Sequence, residues 1–111
     1  MMFVYGPLWS GKRAAAKELL GWDEAMLRER AVLDAQELAR GDVDPGDLAR
    51  ELSRYELVIA AEVGGGVVPA DAAERAWRER AGRLNCLLAE RAEVVVRVLC
   101  GIPKVMKGEL P

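Results

Sequence analysis

The chain has 111 residues, 51% of them apolar and 31% charged, with a formal net charge of −2. This is the composition of one modest globular domain rather than of a disordered or fibrous segment. Charges of both signs are interspersed, no apolar run reaches membrane-spanning length, and the amino terminus lacks the basic region and long apolar stretch of a leader. The expectation is therefore no nucleic-acid partner, no membrane partner and a cytoplasmic location. Histidine is absent, which removes histidine bases, histidine metal ligands and phospho- or nucleotidyl-histidine intermediates from this chain. Cys86 and Cys100 lie in helix-like and strand-like apolar segments without metal-ligand spacing, and are expected as buried free thiols.

In chain order, the apolar run Met2-Phe3-Val4-Tyr5 reads as a strand and Ala14–Leu20 as a helix. Between them stands Gly6-Pro7-Leu8-Trp9-Ser10-Gly11-Lys12-Arg13. Strand, glycine loop, lysine, helix is the layout of a phosphate-binding P-loop. Glycines let the backbone approach phosphate oxygens, and the free amides and positive dipole end of the helix favour an anion. Lys12 then reaches the β- and γ-phosphates as a point charge. The last position departs from the pattern: Arg13 stands where Ser or Thr normally helps to hold Mg²⁺. A guanidinium has no acceptor lone pair and cannot be a metal ligand. It can replace part of the metal's charge or pair with a phosphate, so Mg²⁺ is in question here while ATP or GTP is the expected ligand.

Gly21 is a helix stop, and Asp23 caps a short helix running through Glu29. Ala31-Val32-Leu33 is a second strand candidate, and Asp34-Ala35-Gln36-Glu37-Leu38 reads as its extension or as helix. Asp44 before Pro45 opens a helix to about Arg54. Leu57–Ala61 is a continuous apolar strand of the kind buried on both faces of a parallel sheet. Gly64-Gly65-Gly66-Val67-Val68-Pro69 is a loop, and Asp71 with Glu74 forms a capping-box-like start to the longest helix, to about Arg91. Its apolar stripe is Ala73, Trp77, Ala81, Leu84 and Leu88. Val94–Leu99 is a last buried strand, after which Gly101 and Pro103 break the chain. Strands separated by helices predict an α/β fold: a small P-loop-type three-layer domain over residues 1–111, with a mostly parallel sheet of about four strands and flanking helices.

Glu62 stands at the carboxyl end of the Leu57–Ala61 strand, the edge where ligands bind in open α/β sheets. An acid after four apolar residues has the rough form of a P-loop protein's metal-holding strand end, so Glu62 is a candidate for metal binding or for orienting a substrate. The alternative is an acid leaving the core for water. Arg75, Arg78, Arg80 and Arg83 share a helix with nearby acids, which also reads as a solvated face.

Three stretches together, Glu62-Val63-Gly64-Gly65-Gly66-Val67-Val68-Pro69, Arg75-Ala76-Trp77-Arg78-Glu79 and Gly82-Arg83-Leu84-Asn85, resemble the adenosylcobinamide kinase/adenosylcobinamide-phosphate guanylyltransferase family of cobalamin assembly. The closing Gly101-Ile102-Pro103-Lys104 is similar to the family's Gly-x-Pro ending. The resemblance covers residues 1–20 and about 56–107. It implies a kinase: ATP or GTP on Gly6–Arg13, Lys12 and Glu62 as catalytic residues, and phosphoryl transfer to a cobinamide hydroxyl. It further implies substrate contacts from Gly64, Gly66, Pro69, Arg75, Arg78 and Asn85, and a homo-oligomer. Family enzymes are longer between the loop helix and Tyr55, where they carry the histidine that is guanylylated. With no histidine here, guanylyl transfer by that route is not expected. A catalytically reduced relative that senses nucleotide or binds a partner stands as the second reading.

Overall fold

A computed structural model describes residues 1–63 and 70–111. Gly64, Gly66 and Pro69 lie outside the described residues. In chain order the elements are β1 (Met2–Gly6), α1 (Lys12–Leu20), α2 (Glu24–Arg30), β2 (Ala31–Val32), a 3-10 turn (Ala35–Ala39), α3 (Pro45–Leu52), β3 (Leu57–Ala61), α4 (Ala72–Arg91), β4 (Val94–Leu99) and β5 (Ile102–Lys107).

The strands form a five-stranded sheet in the order β2-β3-β1-β4-β5. The first four run parallel, and β5 returns antiparallel along β4. Its fifth strand corrects the expectation that the chain breaks at Gly101 and Pro103. Those residues make a turn and an edge strand, where a proline costs little because one side of the strand is unpaired.

Period-two alternation sends side chains to both faces of the sheet, as the continuous apolar strands require. Phe3, Val58, Ala60 and Val95 pack with Leu84 and Leu88 of α4 and with Ala49 and Leu52 of α3. Met2, Val4, Leu57, Ile59, Val96 and Val98 pack against Ala15 and Ala16 of α1 and Leu27 of α2. Three layers result, with β1 at the centre.

Sequence signals for the helix ends act as expected. Gly21 closes α1 in a left-handed conformation, Asp23 accepts from the Met26 amide, and Asp71 accepts from the Ala73 and Glu74 amides. The stripe on α4 is narrower than predicted: Ala81, Leu84 and Leu88 are buried, Trp77 is half-buried and Ala73 exposed. The indole of Trp77 instead donates to Gln36 O at 2.8 Å and carries the Arg40 guanidinium over its ring. Both cysteines are exposed, against expectation. Cys86 lies off the buried stripe of α4, at the rim of a surface cavity that it shares with Phe3, Tyr5 and Val95 of the sheet. Cys100 sits in the β4–β5 turn, past the last buried residue of β4.

Candidate phosphate-binding site

The strand order reverses at β1: the chain leaves it toward β2 on one side, and from β3 crosses over it to β4 on the other. The carboxyl end of such a strand is an open crevice between diverging connections. Gly6 to Arg13 fill it. The loop depends on its glycines, since a Cβ on Gly6 would lie 2.3 Å from the Val98 carbonyl oxygen. Gly11, at φ +84°, turns the chain into α1. Trp9 adopts a left-handed φ of 63° and is 98% exposed at the loop tip. The neighbouring β4–β5 turn braces the loop through Gly101 N donating to Ser10 O at 2.7 Å. Ser10 itself is buried, and its Oγ has no hydrogen-bond partner.

Helix α1 starts at Lys12 with no side-chain cap and no acid in its first turn. Its leading amides therefore point, unclaimed by a side chain, into the crevice. Lys12 Nζ donates to Pro7 O at 2.7 Å, folded back over its own loop. Burial holds its ammonium below the ordinary value of 10.5, while the charges of Asp34 and Glu62 pull it partly back. A cleft of about 490 Å³ opens here, lined by Trp9, Gly11, Lys12, Arg13, Asp34 and Ile59 among others. A larger one, about 640 Å³, lies between the start of α3 and α4, but it has neither a glycine loop nor an uncapped helix start.

Two arginine–carboxylate pairs flank Lys12. Arg13 donates to Asp34 Oδ2 at 2.8 Å, both side chains about half exposed. Arg97 grips Glu62 with both ends of its fork, Nε to Oε1 at 2.5 Å and Nη2 to Oε2 at 3.1 Å. The sheet register explains this contact: Arg97 lies opposite Tyr5 on β4, and Glu62 N donates to Gly6 O from the β3 side. The pair thus spans the end of β1 where the loop begins. The Glu62 carboxylate in turn pushes the Arg97 guanidinium above its already high ordinary value.

Of the other sequence candidates, Asn85 reaches the end of β3, its Nδ2 donating to Ala61 O at 3.1 Å. Its Oδ1 is buried without a partner. Arg75 donates to Ala70 O at 2.7 Å at the start of α4, and Arg78 is half-buried a turn later. Neither lines the loop cleft. Gln36, part of the Asp34-Ala35-Gln36 stretch that could stand for the family's second nucleotide-contacting segment, accepts from Ala61 N at 2.8 Å and is buried. Arg97 was missed, although a lone charge within Val94–Leu99 is itself a signal: a cation in a buried strand needs a partner.

Magnesium does not suit this donor set. It wants hard oxygen ligands in near-octahedral geometry. Both oxygens of Glu62 are taken by Arg97, Asp34 is engaged by Arg13, and the Ser10 hydroxyl is covered. Among the described residues no group of three or more His, Cys, Asp or Glu side chains could hold a metal ion.

Fold and loop together define a small α/β domain of the P-loop type. Residues 42–106 match the sequence profile of the CobU family, cobinamide kinase / cobinamide phosphate guanyltransferase, and the chain belongs to that family. It is also 37% identical over 59 residues to a bifunctional adenosylcobalamin biosynthesis protein, CobP, of Pseudomonas aeruginosa. That alignment covers 53% of this chain and 34% of the relative, so the matched stretch spans about a third of the relative's length. The glycine loop lies before the profile match and stands on its own geometry. No helix among the described residues is long and apolar enough to cross a membrane.

Proposed function

We propose that this chain binds the phosphates of ATP or GTP on Gly6–Arg13 and transfers a phosphoryl group to a hydroxyl of a cobinamide-class substrate in cobalamin biosynthesis. The observation that carries the reading is the uncapped start of α1 behind a glycine loop, with Lys12 already at the loop mouth. Membership of the cobinamide kinase family supports the acceptor. Helix amides and Lys12 stabilise charge on the transferring group, and Lys12 exchanges the Pro7 carbonyl for a phosphate oxygen as nucleotide enters. Glu62, held by Arg97, orients the acceptor. Gly64, Gly66, Pro69, Arg75, Arg78 and Asn85 are proposed for the acceptor side, with Asn85 acting through its hold on the end of β3. Within this chain guanylyl transfer has no histidine to pass through.

A second reading is a relative that binds nucleotide without transferring phosphate. The grip of Arg97 on both oxygens of Glu62 favours it, because it ties that acid to a fixed cation and leaves it a weak base or ligand. Incubation with γ-labelled ATP or GTP and cobinamide separates the two. Labelled cobinamide phosphate is the expected product. Saturable nucleotide binding with no labelled product selects the second reading.

A further inference from the structure

At a phosphate loop a magnesium ion serves to hold and screen charge on the phosphate chain. In this chain the positions from which it would be held carry guanidinium groups instead. Arg13 replaces the hydroxyl, and Arg97 covers both oxygens of the acid at the end of β3. We propose that the site takes a free nucleoside polyphosphate rather than its magnesium chelate, with Arg13 standing in the metal's place and Arg97 cancelling the charge of the acid at the end of β3. This rests on the nucleotide reading above and adds to it the ionic form of the ligand.

Charge and geometry argue the same way. Lys12, Arg13 and Arg97 set three cations against the carboxylates of Asp34 and Glu62, and Lys12 lies within electrostatic reach of both acids and of Arg13. A planar guanidinium fork matches phosphate oxygens and remains charged at every working pH. The Arg13–Asp34 contact is single and exposed, so Arg13 can turn to a phosphate at little cost. The Arg97–Glu62 contact is two-pronged and more buried. It neutralises the acid that would otherwise repel a polyphosphate at the mouth of the loop. A metal arriving with the nucleotide would meet these guanidinium groups instead of free oxygen ligands, and like charges repel.

The test is calorimetric titration of the chain with ATP and with GTP, once in EDTA and once in excess Mg²⁺. Binding in EDTA at least as tight as in Mg²⁺ is the expected result. Binding about ten-fold or more tighter in Mg²⁺ overturns the inference and leaves the nucleotide reading standing. No binding in either buffer overturns both. Arg13→Ser restores a hydroxyl, and Arg97→Gln frees Glu62. Arg13→Ser is expected to lose about ten-fold in EDTA, the scale of one charge-assisted contact, and Arg97→Gln to lose less, through the uncovered charge of Glu62; both are expected to acquire a preference for Mg²⁺. An unchanged metal preference removes the corresponding arginine from the assignment. Arg97→Lys retains a cation without the fork and guards against a folding defect, with EDTA binding expected between that of Arg97→Gln and that of the parent chain, and binding no better than Arg97→Gln counting against a role for the charge. Glu62→Gln, which leaves the Arg97 charge unbalanced, is expected to tighten EDTA binding, and weaker binding counts against the charge argument.

Discussion

The two ion pairs beside Lys12 use the same chemistry in unlike settings. Arg13 and Asp34 meet through one contact, with side chains 48% and 52% exposed. Arg97 and Glu62 meet through two, at 37% and 30%. An exposed single pair contributes little to stability and exchanges readily with solvent or ligand. A fork-to-fork pair at a strand end fixes both side chains and ties β3 to β4 across β1. One pair is therefore suited to open for a ligand and the other to hold the mouth of the site in shape. The difference comes from the elements beneath them. Asp34 sits on a left-handed turn after the short β2, whereas Arg97 and Glu62 stand on or directly after strands of the central sheet.

Removing the shared platform should erase the distinction. Gly6→Ala puts a Cβ against the Val98 backbone oxygen, and should cost about 1–3 kcal/mol by urea unfolding, as overpacking does. An unchanged midpoint would mean that β1 and β4 separate easily there. Lys12→Ala leaves both pairs intact and should weaken ATP or GTP binding by about 10- to 100-fold in calorimetry, the worth of a charge-assisted contact. Retained affinity would move the ligand away from the loop.

Breaking the pairs one at a time sharpens the contrast. Glu62→Ala should lower the unfolding free energy measurably, since it leaves the Arg97 guanidinium without its two-pronged partner. Asp34→Ala should change it by less than about 0.5 kcal/mol, as for other exposed pairs. Equal effects would make the pairs equivalent after all. The smallest effect concerns pH. Burial depresses Lys12 in the free chain, and only its charged form attracts phosphate. Affinity should therefore be full below the depressed value and fall as pH rises through it, beginning below the 10.5 of an ordinary lysine. Lys12→Met should flatten that profile, and a fall beginning only above 10.5 would show that burial does not act on this ammonium.

Much of the domain is local enough to read from residues alone. The strands Met2–Gly6 and Leu57–Ala61 announce themselves by uninterrupted apolar character, and Asp23, Asp44 and Asp71 each cap the helix that follows. The glycine loop is legible because its backbone geometry demands particular residues at fixed spacing. Strand β5 escaped because its residues are all exposed and it begins with a turn and a proline; only its pairing with β4 makes it a strand. The cysteines escaped for the converse reason: their sequence neighbours are apolar, yet the cysteines themselves are exposed.

By itself, then, the sequence determined the alternation of strands and helices, the glycine loop with Arg13 at its end, and the run of motifs around Glu62. Those features depend on short-range periodicity, caps and turn chemistry. Tertiary structure alone decided that Arg97, 35 residues from Glu62, closes on that acid, and that Asp34 answers Arg13. The first contact bridges β3 and β4 across β1 and the second joins the start of α1 to the turn after β2, so the side-chain partners are set by strand order and helix placement rather than by neighbours in sequence.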